Sequence, residues 1–155
     1  MNKRLSIAIF CILLGLVAIL IKITSNGGDI TPSQLVTRSI EIASTTIEVQ
    51  IAQTDSARQK GLSGRRSLDP NTGMLFIFEN PDFYGFWMKD MLFAIDIIWL
   101  DEDMRIVHIE SSVDPTTYPQ TFISKVPAKY VLEVLAGFAI QKGLKIGDEA
   151  KLDHI

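Results

Sequence analysis

Phe86-Trp87-Met88-Lys89-Asp90-Met91-Leu92-Phe93-Ala94-Ile95-Asp96-Ile97-Ile98-Trp99-Leu100 is the stretch around which the chain is organised. It holds both tryptophans, and its only charges are Lys89, Asp90 and Asp96. A run this apolar has to be largely buried, and a buried charge needs a partner. The run reads as the end of one strand, Gly85 to Met88, and the whole of another, Ile95 to Leu100. Asp96 shares a face of the second with Ile98 and Leu100, and Trp87 shares one with Lys89 if the first continues that far.

Strand signals continue on both sides. Thr46-Ile47-Glu48-Val49-Gln50-Ile51 alternates strictly, which describes a half-buried strand. Met74-Leu75-Phe76-Ile77-Phe78 is an apolar run of strand length, followed by a turn at Asn80-Pro81-Asp82. Asp101 to Met104 is an acidic hairpin turn, Arg105 to Ile109 runs back from it, and Lys129 to Leu135 and Glu149 to Leu152 are further strands. Two short helices are predicted, one capped by Thr54 or Asp55 and ended by Gly61 or Gly64, the other from Gly137 to Lys142 with Gly143 as its C-terminal glycine. The fold class is therefore mostly β, an antiparallel sandwich or barrel-like domain with one or two short helices. Long crossover helices, the mark of parallel α/β folds, are missing from the pattern.

Ahead of this domain the chain changes character. Residues 1–4 form a basic cap with Lys3 and Arg4. Residues 5–23 are an apolar segment, uncharged from Leu5 to Ile21, of a length that reads as a transmembrane anchor or as a signal segment. Residues 24–39 read as a polar tether and residues 40–155 as the globular domain. The basic cap places the N-terminus in the cytoplasm and the domain on the extracytoplasmic side, membrane-anchored, or secreted if the segment is cleaved. From Asn26 onward twelve Lys and Arg stand against eighteen Asp and Glu, a formal charge of −6, which argues against nucleic acid as a partner. Cys11, the sole cysteine, lies inside the apolar segment, so the domain has neither a disulfide nor thiol chemistry.

The charges most embedded in apolar sequence are Lys89, Asp96, Glu133 (the lone polar residue of Tyr130 to Leu135) and the pair Arg58 and Arg65 around Gly61-Leu62. They could converge on one pocket with Trp87 as a stacking surface, or simply neutralise one another at the end of the fold. Asp96 and Glu133 could also form a general acid/base pair. No metal or other cofactor is expected: His108 and His154 stand apart, and Asp101-Glu102-Asp103 lacks the ligand spacing of a calcium loop. Nor is a nucleophile: Gly61-Leu62-Ser63-Gly64 is one residue short of a nucleophile elbow.

Three ordered segments carry a resemblance. Arg58-Gln59-Lys60-Gly61-Leu62-Ser63-Gly64-Arg65 leads to Gly73-Met74-Leu75-Phe76-Ile77-Phe78. Phe86-Trp87-Met88-Lys89-Asp90-Met91 leads to Asp96-Ile97-Ile98-Trp99-Leu100-Asp101. Ala128-Lys129-Tyr130-Val131-Leu132-Glu133-Val134 is followed by Ala136-Gly137 and Gly147-Asp148. From about Ile40 to Leu152 the chain resembles the domain of unknown function 192 family. The resemblance implies a compact, mostly β domain, often behind an N-terminal signal or anchor, and supplies no activity. The family's usual F-W-M-K-N-T and I-P-L-D appear here with Asp90-Met91 for Asn-Thr and Phe93-Ala94-Ile95 for Ile-Pro-Leu. Ser63 stands where the family usually has methionine.

These observations lead to a membrane-tethered extracytoplasmic β domain that binds a small polar ligand or an envelope partner without catalysis. Its ligand-binding candidates are Arg58, Arg65, Trp87, Lys89, Asp96 and Glu133. The alternatives are a hydrolase or carbohydrate-active enzyme using Asp96 and Glu133, and a structural accessory of an envelope complex.

Overall fold

The computed structural model describes residues 35–153. The basic cap, the apolar segment, most of the tether and His154 lie outside them. Nine strands and two short helices follow in order: β1 (Thr37–Ile42), β2 (Thr45–Ala52), α1 (Asp55–Lys60), β3 (Thr72–Asp82), β4 (Gly85–Trp87), β5 (Ile95–Leu100), β6 (Ile106–Val113), β7 (Thr121–Ile123), β8 (Ala128–Leu135), α2 (Phe138–Lys142) and β9 (Ala150–Leu152). Among the described residues no helix is long and apolar enough to cross a membrane.

Seven strands form one curled sheet, a half-barrel, in the order β6-β5-β8-β3-β2-β1-β9. Its two edges are tied at one end. Ile106 N donates to Asp148 O at 2.8 Å, Gly147 N to Ile106 O at 2.8 Å and Ala150 N to Met104 O at 2.9 Å, and Arg105 pairs with Glu149 at 3.2 Å. The backbone groups of an open edge are thereby partly satisfied within the fold.

The sheet is buried on both faces, which explains why β5 reads as an unbroken apolar run with all six residues buried. Ile40, Ile47, Val49, Leu75, Ile98, Leu132 and Phe138 fill the inside of the curl. On the outer face Met74, Phe76, Ile97, Trp99 and Val131 form a second core with Leu62 of the segment after α1 and with Met88 and Met91. A two-stranded ribbon, β4 with β7, lies beside this outer core. Trp99 Nε1 donates to Tyr84 O at 3.0 Å and fastens the start of the ribbon to the sheet.

Mostly β architecture with two short helices agrees with the sequence pattern; three details do not. β2 and β3 pair in parallel, because the connection from residue 53 to residue 71, with only the short α1 inside it, is long enough to cross over. The expected turn at Asn80-Pro81-Asp82 is instead the irregular end of β3, which resumes pairing with β8 at Asp82–Ala128 after a register shift. β7 lies within the short segment Thr121–Ile123 and was not signalled by any alternation.

Candidate cleft on the outer face

Each strand's parity decides which carboxylate meets which core. Asp96 pairs across to Val134, and Ile97 to Glu133. Asp96 therefore points with Ile98 and Leu100 to the inside of the curl, and Glu133 points with Val131 to the outer face. The two carboxylates lie on opposite faces of one sheet. They cannot flank a common substrate, and the acid/base pair considered from sequence does not exist as a pair.

Asp96 is fully buried and fully engaged. Oδ1 accepts from Ser112 N at 2.7 Å and Gly137 N at 3.0 Å, and Oδ2 accepts from Ala139 N at 2.8 Å. Gly137 and Ala139 are at the start of α2, so the carboxylate holds N–H groups that helix geometry leaves unpaired. Ser112, with φ +54°, sits at the irregular end of the β5–β6 pairing, which turns its N–H to the same carboxylate. Asp96 is a latch between β5, β6 and α2, and, contrary to the expectation of a shared pocket, it does not line the outer-face cleft.

Glu133 is the opposite case. Its neighbours across the strands are Met74 and Ile97, both apolar. β3 comes close behind it: a Cβ on Gly73 would lie 2.7 Å from Glu133 O, so only glycine fits there. The side chain is buried, and burial pushes the Glu133 carboxyl up to about 8, with the Arg65 guanidinium opposing. Burial in turn pulls Arg65 below its ordinary value, with Glu133 opposing. Arg65 Nη2 donates to Gln50 Oε1. Among the described residues Arg65 Nε and Glu133 Oε2 are the buried side-chain atoms with no hydrogen-bond partner. Arg65 also lines a separate polar cavity of about 310 Å³ with Glu48, Gln50 and Asp69.

Glu133 forms part of an open cleft of about 220 Å³. Its walls are the segment from Arg58 to Ser63, the rings of Phe76 and Phe78 on β3, the segment from Tyr84 to Trp87 that includes β4, and Met91. The rings brace one another: Phe78 stacks on Tyr84 with centroids 3.5 Å apart, and Phe86 meets Phe76 edge-on at 4.9 Å. Trp87 is 54% exposed at the rim and stands against Tyr118 at 6.4 Å. Ser63 Oγ donates to Lys89 O at 2.9 Å and Gly64 N to Asp90 O at 2.8 Å, which tie the segment after α1 to the segment after β4.

Three of the six candidates thus line the cleft: Arg58, Trp87 and Glu133. Arg58 is there mainly as a fastener. Its Nη1 donates to Gln53 O at 2.6 Å and Ile77 O at 2.9 Å, Nη2 pairs with Asp55, and the guanidinium lies 5.2 Å from the Phe78 ring centre. Arg65 acts on Glu133 by charge alone. Lys89 is exposed and does not line the cleft, contrary to the expectation of a buried, partnered lysine. β4 ends at Trp87, and Asp90 takes φ +57°, so the shared face of Trp87 and Lys89 is broken by a turn. That backbone conformation suits Asn and Asp better than most residues. Asp90 thus fills the family's Asn position for a backbone reason rather than as a side-chain donor.

Sequence reasoning missed Phe76, Phe78, Tyr84 and Phe86 as wall residues. Their signal was present: aromatic residues at even positions on both sides of the Asn80-Pro81-Asp82 segment. Among the described residues no three of His, Cys, Asp and Glu come together to hold a metal.

Among solved structures, one from Sinorhizobium meliloti 1021, described as a candidate transcription regulator, is 28% identical, with 76% of this chain and 95% of that chain covered and a TM-score of 0.73. A protein of unknown function from Novosphingobium aromaticivorans DSM 12444 is also 28% identical, with 76% and 84% covered and a TM-score of 0.68. No curated protein matches the chain. The model of the DUF192 family, described as Uncharacterized ACR, matches residues 37–152, the whole span from the first strand to the last, and the chain therefore belongs to the domain of unknown function 192 family.

Proposed function

We propose that this chain is a membrane-tethered extracytoplasmic binding module whose outer-face cleft takes a small ligand with an apolar body and one polar end, without catalysis. The observation that carries the reading is Glu133, a buried carboxyl with an unpartnered oxygen, lining an open, aromatic-walled cleft. Native proteins seldom leave a buried acceptor unsatisfied, because the desolvated group costs about 1–3 kcal/mol. A ligand group that completes the hydrogen bonding recovers that free energy on binding. The rings supply area for an apolar body, and the cleft is small beside the roughly 300–1,000 Å³ of sites that hold drug-sized molecules. The described residues that line it include no nucleophile activated by a base and only one carboxyl.

A thermal-shift screen of small polar compounds against the full chain and Trp87→Ala tests this. Compounds that raise the melting temperature of the parent and not of a folded Trp87→Ala support the cleft; hits that shift both equally, or no hits, reject it. A reporter fusion active only outside the cytoplasm tests the topology.

One observation favours an envelope protein as the occupant. Phe83, Trp87, Tyr118 and Ile123 are exposed apolar residues in and beside the ribbon, a patch of the kind that marks a protein contact. A partner side chain would then enter the cleft from a surface docked on the ribbon.

A further inference from the structure

We propose that the cleft is selective for an organic ammonium: a primary or methylated amine on a short apolar stem, its charge set against the Glu133 carboxyl and its stem between aromatic rings. The inference rests on the binding reading above and narrows it to a ligand class.

Size comes first. The cleft's volume of about 220 Å³ falls below the roughly 300–1,000 Å³ of sites for drug-sized molecules, which suits one ring or a short chain with a single head group. The walls then set the sign of the charge. Aromatic faces are negative and attract cations. Phe78 already does so with the Arg58 guanidinium at 5.2 Å, and Phe76, Phe86 and Trp87 offer further rings in the same cleft.

The groups around Glu133 point the same way. Met74 and Ile97, its cross-strand neighbours on β3 and β5, carry no charge. Arg65 is the charged group that acts on the carboxyl, yet with Arg65 opposing, burial still holds Glu133 far above its ordinary value. One partly buried cation therefore leaves the carboxylate form uncompensated, and a second cation delivered by a ligand would complete it. The other charged or titratable wall groups do not compete for that place. Arg58 is tied to Asp55 and two carbonyls, Lys60 is exposed at the rim, where water screens it, and Tyr84 is raised by burial and remains neutral.

This predicts a proton linkage. An ammonium binds the ionised carboxyl, so binding below about pH 8 expels the Glu133 proton to solvent, and affinity rises with pH by up to about tenfold per unit before levelling near about pH 8. An alcohol of the same shape has no charge to stabilise the carboxylate and no such rise.

The experiment is calorimetric titration of the full chain in detergent with 2-phenylethylammonium, 2-phenylethanol and 3-phenylpropionate, at about pH 6 and about pH 8. Two buffers of different ionisation enthalpy count the protons released. Expected are tightest binding by the ammonium, an affinity gain of at least about tenfold from the lower to the higher pH, and release of close to one proton at the lower pH. In Glu133→Gln, with its fold checked by circular dichroism, the ammonium should lose at least about tenfold and the pH dependence should vanish. The proton count on the unmutated chain stands even if that variant fails to fold. Equal or tighter binding of the alcohol or the phenylpropionate, with Trp87→Ala weakening it, overturns the ammonium class and leaves the cleft reading standing. Ammonium binding without proton release, or no ammonium binding, also overturns the class. The thermal-shift screen judges the cleft independently.

Discussion

Asp96 and Glu133 lie on neighbouring strands, one residue apart in register, each embedded in apolar sequence and each buried. Asp96 faces the inside of the curl and accepts from three backbone N–H groups. Glu133 faces the outside, has an unpartnered oxygen and borders a cleft. The inner carboxylate holds the fold closed, since it joins an irregular strand end to the start of α2. The outer one is held at a loss by the fold and is left for something else to satisfy. Burial alone therefore does not separate structural charge from site charge; hydrogen-bond satisfaction does.

The largest expected effect tests the inner side. Asp96→Ala leaves one buried and two partly buried donors without their acceptor, and at about 1–3 kcal/mol for each unsatisfied group the variant should lose about 4 kcal/mol in urea denaturation. A loss below about 1 kcal/mol would put Asp96 outside the structural role assigned to it.

Glu133→Gln tests the outer side, and the sign reverses. The folded carboxyl titrates near about 8, well above its ordinary 4.5, so between those values the folded state holds a proton that the unfolded state has released. Stability of the parent therefore falls as pH rises through this window, by at most about 1.4 kcal/mol per unit, and is flat above it. Glutamine carries no proton to lose. Glu133→Gln should match the parent near pH 4.5 and exceed it by about 3 kcal/mol at about pH 7. Parallel pH-stability curves for the two proteins would contradict the unsatisfied carboxyl.

Trp87→Ala should cost only about 1 kcal/mol of stability, since the ring is half exposed and its aromatic contact is with Tyr118. Its effect on cleft binding should be at least about tenfold, a separation visible by comparing melting curves with titrations. Lys89→Ala should be smallest on both measures, within about 0.5 kcal/mol and without change in binding. A large effect of Lys89→Ala on binding would extend the site beyond the cleft and blur the contrast.

Much of this was legible in the chain. The alternation of Ile47, Val49 and Ile51 and the shared parity of Asp96, Ile98 and Leu100 come directly from the period of two, a property of the extended backbone that needs no partner strand. The two helices were announced by Thr54, Gly61, Gly137 and Gly143, whose capping roles are local. Lys89 was misread because one residue, Asp90, adopts a left-handed conformation that ends the strand's alternation. The parallel pairing of β2 with β3 and the ribbon strand β7 were not legible, because both depend on which segments meet after long connections.

The sequence by itself determined a mostly β domain, its strand faces, its family and a short set of embedded charges, since propensity, parity and motif are written in local order. Only the tertiary structure decided what those charges do. The donors that satisfy Asp96 come from Ser112, Gly137 and Ala139, far along the chain, and the rings that wall in Glu133 come from β3, β4 and the segment between them. Whether a buried group is solvated by its own protein is a question of three-dimensional neighbours, and that separates the latch from the cleft.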